Sequence, residues 1–90
     1  MQHEHSQDAT KRLARIAGQV TGIKDMVENG RDCEDILMQL SSASSALTQV
    51  ARIIMTEHLE HCVLDGIAHG NQEETIANLK KAVEQFAKMK

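Results

Sequence analysis

The stretch RDCEDILMQLSSASSALTQVARIIMTEHLEHCVLDG, residues 31–66, decides the fold of this chain. Apolar residues recur in it at steps of three and four, and neither glycine nor proline interrupts the pattern between residues 31 and 65. Such spacing is typical of a helix with one apolar face. Asp32 suits an N-cap and Gly66 suits a helix stop. We therefore predict one helix of about 33 residues, roughly 50 Å long at 1.5 Å per residue.

Two shorter helices are predicted on either side of this long one. The first runs from about residue 8 to residue 29, where Asn29-Gly30 favours a helix end, and a polar segment at residues 1–9 is expected to form a flexible tail. The third begins near Asn71, where Asn71-x-x-Glu74 is a possible capping box. With one aromatic residue and no proline among 90 residues, the sequence predicts a single all-α domain, residues 1–90.

The long helix cannot be covered by the rest of its own chain. A compact domain of this size has a radius of gyration of about 12 Å, whereas the helix alone is roughly 50 Å long. Its apolar stripe therefore needs a partner helix from outside the chain. We predict that the protein self-associates.

The charge distribution favours a polyanionic partner. The formal net charge is −3, yet residues 11–31 hold five basic residues against two acidic ones, a local balance of +3. An oligomer that repeats such a basic face can bind DNA even when the whole chain is acidic. The chain has no run of about 18 apolar residues and no secretion signal at its start, so we expect a cytoplasmic protein without a membrane partner.

His58, Cys62 and Cys33 are the candidate metal ligands. His58 and Cys62 are four residues apart, which places them on one helix face at a spacing that suits two ligands of one ion. Cys33 precedes His58 by 25 residues, about 37 Å along a straight helix, so the two cannot meet within one chain. If two copies of the helix pack antiparallel, Cys33 of one copy lies beside His58 and Cys62 of the other. A symmetric dimer would then hold two shared sites.

The donor types leave the chemistry of this site open. Two thiolates and one imidazole form a soft set that selects Cu(I). Without metal, the same two thiols could form a disulfide or polysulfide between subunits. A helical metal carrier or interaction module with no DNA role is a third possibility. The sequence has no H-E-x-x-H motif, phosphate-binding glycine-rich loop or Ser-His-Asp set, so we do not expect an enzyme.

The residues that carry these features resemble a known family. RLARIAGQVTGI at residues 12–23, Cys33 at the start of the second helix and EHLEHCV at residues 57–63 are similar to the CsoR (copper-sensitive operon repressor) family of bacterial transcriptional repressors. The resemblance covers roughly residues 10–90. It implies a three-helix protomer that forms an antiparallel dimer and a dimer of dimers. It also implies a repressor that leaves its double-stranded operator DNA when an inducer binds between protomers.

The resemblance assigns roles to particular residues. It implies that Cys33, His58 and Cys62 bind Cu(I). It also implies that Arg12, Arg15 and Gln19 of the first helix contact DNA. The basic residue that the family often has at position 44 is serine here, and Arg52 is a possible substitute for it.

Some positions depart from the copper sensors. Asp32 and Asn78 stand where copper sensors usually have tyrosine and glutamate, which resembles the persulfide-sensing CstR branch of the family. In that alternative, Cys33 and Cys62 form a cross-subunit di- or polysulfide. The nickel and cobalt branch has histidine in place of Cys62 and an N-terminal histidine. His3 and His5 could serve as the latter, although the tail is expected to be flexible, and His61 is expected to be a bystander.

Overall fold

The computed structural model describes the backbone of residues 4–70 and 72–89, and the side chains of residues 7–61, 70 and 72–89. It contains three α-helices, α1 (Glu4–Glu28), α2 (Cys33–His69) and α3 (Gln72–Ala87). No strand occurs in this part of the chain. The prediction of an all-α, three-helix protomer with a long central helix is therefore confirmed. Among the described residues, no helix is long and apolar enough to cross a membrane.

The first helix begins earlier than the sequence predicted. Residues 1–9 were expected to form a flexible tail, but the described part of that segment, Glu4–Ala9, is helical. The physical reason is burial: only 4% of Ala9 is exposed, and it belongs to a core cluster with Ile16 and Val50. Packing against α2 thus stabilises an additional turn at the start of α1, because tertiary contacts support helix ends that propensity alone does not.

Glycines in the left-handed conformation end the first two helices. Gly30 has a φ of 67°. Its N–H donates to the Val27 carbonyl at 3.2 Å, and the Arg31 N–H donates to the Met26 carbonyl at 3.0 Å. These two bonds form the Schellman motif, which satisfies carbonyls at a helix end. The predicted stop at Asn29-Gly30 is confirmed.

The predicted stop at Gly66 is wrong, because α2 continues to His69. A glycine inside a helix costs only about 1 kcal/mol relative to alanine, which is too little to end a helix by itself. The helix ends instead before Gly70, whose φ is 72°. At the other end, Asp32 directly precedes the helix, and its carbonyl accepts the Ile36 N–H at 3.1 Å, as expected for the predicted cap position. The predicted capping residue Asn71 lies outside the described residues.

The protomer is elongated because α2 forms its whole length. Its principal extents are 57 × 24 × 14 Å and its radius of gyration is 17.2 Å, against about 12 Å for a compact chain of this length. Helix α1 packs antiparallel to α2: Arg12 contacts Gln49, and farther along α1 Gln19 contacts Gln39. Helix α3 folds back along the second half of α2.

A seven-residue repeat separates the apolar residues of α1 and α2 into a buried row and an exposed row. The buried row consists of Ala9, Ile16 and Ile23 on α1 and Ala43 and Val50 on α2, and the buried but charged Glu57 follows Val50 at the same spacing. The exposed row consists of Leu13, Val20 and Val27 on α1 and Leu40, Leu47 and Ile54 on α2, with 38% to 59% of each residue accessible. The sequence predicted one stripe per helix. In the structure, only half of each stripe packs within the protomer.

Candidate functional site

Cys33 and His58 lie on one side of α2, Cys33 at its first residue and His58 eleven residues before its last. Cys33 is the first residue of the helix and is an exposed free thiol. Over the 25 residues from Cys33 to His58, an ideal helix makes about seven turns, so the two positions differ by only about 20° around the helix axis. By the same count, both residues fall on the side that carries Leu40, Leu47 and Ile54. The backbone of Cys62 continues this side of the helix one turn after His58, and its side chain lies outside the described residues.

Within one protomer these candidate ligands do not come together. Cys33 and His58 are about 37 Å apart along α2. Among the described residues, no group of three His, Cys, Asp or Glu side chains is placed to hold a metal ion. A thiol and an imidazole suit Cu(I) as donor types. They fit one ion only if the start of one α2 lies beside the end of another.

His58 also faces the third helix. It is partly buried and lines a groove of about 410 Å³ between α2 and α3. The other lining residues are mostly apolar: Ala51, Ile54, Met55, Ala82, Gln85, Phe86 and Met89. Helix α3 therefore packs directly beside one candidate ligand. His61 is exposed, and its role as a bystander stays a prediction, while His3 and the side chain of His5 lie outside the described residues.

Arg12 connects the basic segment of α1 to α2. Its Nε donates to both carboxylate oxygens of Asp8 at 3.3 Å, and its Nη1 donates to Oε1 of Gln49 at 3.1 Å. The side chains of Arg12 and Asp8 remain 41% and 54% exposed, so this ion pair contributes little to stability. Its effect is to orient the guanidinium and to place a carboxylate beside it.

The three residues of α1 that were predicted to contact DNA share one side of the helix. Arg12, Arg15 and Gln19 lie within about 60° of one another around α1. Arg15 is exposed. Gln19 instead reaches α2, where its Nε2 donates to the carbonyl and to Oε1 of Gln39 at 3.4 and 3.3 Å. Arg12 and Gln19 therefore each link α1 to α2, at two different points along the helices.

Arg52, the fourth predicted DNA contact, lies on α2. It is exposed and lines a polar pocket of about 300 Å³ together with Ser44, Ser45, Thr48 and Gln49. Because Gln49 also accepts the bond from Arg12, the pocket adjoins the basic side of α1. The structure thus brings Arg12 and Arg52 to one surface, although they are 40 residues apart in the chain.

Two residues of this surface were not predicted from the sequence. Asp8 stands four residues before Arg12, and that spacing is the sequence signal of an i, i+4 ion pair. Gln49 carries no such signal, because its contact with Arg12 spans 37 residues and depends on how α1 and α2 are aligned.

Comparisons with known proteins agree on one family. The sequence pattern of the family described as metal-sensitive transcriptional repressor matches residues 5–85. The chain is 46% identical over 79 residues to the copper-sensing transcriptional repressor CsoR of Bacillus subtilis. This alignment covers 88% of this chain and 78% of the relative. The fold of this chain matches that of the copper-sensing repressor CsoR with Cu(I) from Geobacillus thermodenitrificans. The TM-score is 0.87 and the identity 41%, over 98% of this chain and 92% of the solved chain. It also matches the nickel-responsive transcriptional regulator InrS at a TM-score of 0.80 and 39% identity, over 89% and 90% of the two chains.

Proposed function

Since this chain belongs to the metal-sensitive transcriptional repressor family, we propose that it is a repressor that Cu(I) releases from operator DNA. The CsoR resemblance of the sequence is confirmed by its relatives. Those relatives are transcriptional repressors, so the expectation that the chain is not an enzyme is confirmed as well. Family membership also favours a DNA-binding role over a metal carrier without one.

One observation carries this proposal: Cys33 and His58 flank the exposed apolar row on the same side of α2. A partner helix that covers Leu40, Leu47 and Ile54 in antiparallel orientation also covers the two candidate ligands. The start of one α2 then meets the end of the other. Cys33 of one protomer joins His58 and Cys62 of its partner, and twofold symmetry gives two such sites in each dimer.

The exposed rows of α1 and α2 support the dimer itself. Six large apolar residues, three on each helix, repeat every seven positions and remain 38% to 59% exposed in the protomer. Two antiparallel protomers would bring four such helices into one bundle and cover these rows. Complete burial of such a side chain is worth roughly 1.5 to 3 kcal/mol, so burial of the part that is still exposed contributes roughly half of that per residue. Assembly into a dimer of dimers is part of the proposal.

The donor set favours copper as the inducer. Two thiolates and one imidazole are soft ligands, which select Cu(I) over divalent metals that need a fourth ligand. The relative with 46% identity and one structural neighbour are copper sensors. The nickel-responsive neighbour has a similar fold, so the fold alone does not distinguish a copper sensor from a nickel sensor. The cysteine at position 62 is the residue that favours copper here.

The proposed induction acts through α2. Cys33 at the start of one α2 and His58 and Cys62 of the partner's α2 would hold Cu(I), which would supply a link between the two protomers. Arg12 and Gln19 tie α1 to α2 by side-chain hydrogen bonds at 3.1 to 3.4 Å. A change in how the two copies of α2 meet is therefore transmitted to the predicted DNA-contacting side of α1. Induction requires that copper and DNA prefer different arrangements of these helices.

A thiol switch is the second candidate function. Cys33 is a free thiol that is exposed in the single protomer, and an oxidant or persulfide would supply the oxidising equivalents for its reaction. Asp32 and Asn78, which replace the usual tyrosine and glutamate of copper sensors, are also exposed. In this alternative, Cys33 and Cys62 of the partner protomer become joined by a di- or polysulfide, and His58 is not required.

Replacing His58 by alanine separates the two candidates. We expect His58→Ala to raise the Cu(I) concentration that releases operator DNA by more than about 100-fold, because one of three direct ligands is lost. Release by a persulfide should remain unchanged. His61→Ala is the matched control, since this exposed histidine is three residues away, and it should behave as wild type. DNA release is followed by fluorescence anisotropy during anaerobic titration. Equal copper responses of His58→Ala and wild type would contradict the copper site.

A further inference from the structure

We infer that Met55 and Met89 form an entry site, at which Cu(I) binds before it reaches His58. The inference rests on the proposed copper-responsive function and concerns the route by which the inducer arrives. The site lies in the groove between the second and third helices, here called the α2–α3 groove, which is lined by Ala51, Ile54, Met55, His58, Ala82, Gln85, Phe86 and Met89. Its volume of about 410 Å³ far exceeds the roughly 10 to 15 Å³ that one water molecule needs, so a copper ion can enter it.

The α2–α3 groove offers the donor types that suit a soft, monovalent cation. Two of its residues are methionines and a third, His58, carries an imidazole. Thioether sulfur is a soft ligand that selects Cu(I). Within the described part of the chain no carboxylate lines the groove, so it lacks the charged oxygen ligands that favour Mg²⁺, Ca²⁺ or Mn²⁺. The groove therefore favours Cu(I) over these commoner cations.

Met55 lies beside His58 on the side of α2 that faces α3. The two residues are three positions apart, so their Cβ atoms are separated by about 5 to 6 Å. Position 62 follows Met55 by seven residues, which is about two turns along α2 and about 20° around its axis. Met55 is partly buried, and its unbranched side chain is flexible enough to move its sulfur toward His58. Met55 therefore precedes the candidate ligands in a row along one side of α2.

Met89 places the second thioether on the α3 wall of the groove. It directly follows the last turn of α3, and its N–H donates to the Phe86 carbonyl at 3.0 Å, which holds this segment against the helix. Met89 is 42% exposed, whereas Met55 is partly buried. An ion from solvent therefore reaches Met89 more readily, and Met55 lies between it and the inner part of the groove.

The two methionines lie away from the surface that the proposed dimer covers. Ile54, at one edge of the groove, belongs to the exposed row that packs against the partner. Met55 lies about 80° around α2 from Leu47, the centre of that row, in the direction of α3. Met89 belongs to the α3 wall, which carries no part of the exposed rows of α1 and α2. The groove thus connects solvent, on the methionine side, with His58 at the edge of the dimer interface.

Transfer from the entry site is an exchange of ligands without oxidation or reduction. Cu(I) leaves the neutral thioethers and binds the imidazole of His58, the thiolate of Cys62 and the thiolate of the partner's Cys33. Each thiol that binds as a thiolate releases its proton to water, whereas a thioether binds a metal without losing a proton. Because thiolates attract Cu(I) more strongly than thioethers do, the ion moves on from the methionines to the proposed metal site.

The first test compares the rate of copper uptake with the affinity at equilibrium. The double variant Met55→Leu/Met89→Leu removes both sulfurs and keeps the size and apolar character of the side chains. Anaerobic stopped-flow mixing with Cu(I) bicinchoninate follows uptake by the loss of the chelator's colour. We expect uptake to be about tenfold slower, because the ion is no longer held beside the metal site before transfer. The affinity at equilibrium, measured by competition with the same chelator, should match wild type. Met38→Leu is the matched control, since Met38 is 70% exposed and lies 17 residues, about 25 Å, from Met55 along α2.

The second test observes the thioethers directly, in the variant Cys33→Ala/Cys62→Ala, which lacks both thiols. With ¹³C-labelled methionine methyl groups, anaerobic addition of Cu(I) should shift the NMR signals of Met55 and Met89 and leave that of Met38 in place. Unmoved signals of Met55 and Met89, or equal shifts of all three, would overturn the entry site.

The kinetic outcomes separate the entry site from the proposed function. Uptake at the wild-type rate by the double leucine variant would overturn the entry site and leave the shared metal site intact. A lower affinity at equilibrium in that variant would also overturn it, because the methionines would then belong to the final site. If wild-type protein binds no Cu(I), the proposed function and this inference fail together.

Discussion

Replacing Cys33 by alanine is expected to abolish release of DNA by Cu(I) and to leave DNA binding intact. Substitution of residues that only support metal ligands already weakens metal binding about 10- to 100-fold, so loss of a direct ligand should cost more than about 100-fold. Cys33 is exposed at the first position of α2. Its removal should therefore change the stability of the fold by no more than about 0.5 kcal/mol. Copper release is measured by anisotropy, and folding by circular dichroism.

Glu34→Ala is a suitable control for this experiment. Glu34 is the next residue of the helix and is also exposed, so it reports any general effect of changing the start of α2. It should respond to copper as wild type does. A Cys33→Ala protein that still leaves DNA at the wild-type copper concentration would contradict the ligand assignment. The thiol switch also requires Cys33. A Cys33→Ala protein that fails to respond to persulfide therefore does not distinguish the two inducers.

Leu47→Asp is expected to convert the assembly into monomers and thereby to remove both DNA binding and copper response. Leu47 is 40% exposed in the protomer and lies at the centre of the exposed row on α2. In the proposed dimer it is covered by the partner. Because 40% of Leu47 is still exposed in the protomer, the change removes interface burial worth roughly 1 kcal/mol at each of two symmetric positions, and it places two charges there. Dimerisation should weaken by at least about 100-fold, as measured by analytical ultracentrifugation.

Met38→Asp is the matched control for Leu47→Asp. Met38 is 70% exposed and lies nine residues before Leu47, which places it about 180° away around the helix. The same charge at that position should face solvent and leave the assembly unchanged. An equal effect of both substitutions would indicate that aspartate destabilises α2 itself. An unchanged assembly in Leu47→Asp would contradict the proposed dimer interface.

The sequence allowed the course of the helices to be predicted, but not all their ends. The long central helix followed from the absence of glycine and proline between residues 31 and 65. Gly66 was misjudged because a glycine ends a helix only when it adopts the left-handed conformation, as Gly30 and Gly70 do. The helical start of α1 was missed because it depends on the burial of Ala9 against α2. The second error comes from tertiary packing that local sequence does not encode.

The candidate site shows the same limit. Cys33 and His58 could be placed on one side of α2 by counting residues, since the helical repeat alone determines their directions. Counting residues could not predict which apolar residues of each stripe are buried in the protomer and which remain exposed. Which of Ile16 and Val20 is buried depends on where α1 lies against α2. Likewise, Gln49 could be recognised as part of this surface only from its contact with Arg12, which joins the two helices.

The central claim is that each metal site is shared between two protomers, and complementation of two inactive variants tests it most directly. Cys33→Ala and the double variant His58→Ala/Cys62→Ala each lack a complete site as homodimers. In a mixed dimer, Cys33 of the double variant meets intact His58 and Cys62 of the Cys33→Ala protomer. With mixed dimers isolated by two affinity tags, we predict about one tightly bound Cu(I) per dimer, against none for either homodimer. Mixed dimers that bind no Cu(I) tightly, while wild type binds about two, would contradict a shared site.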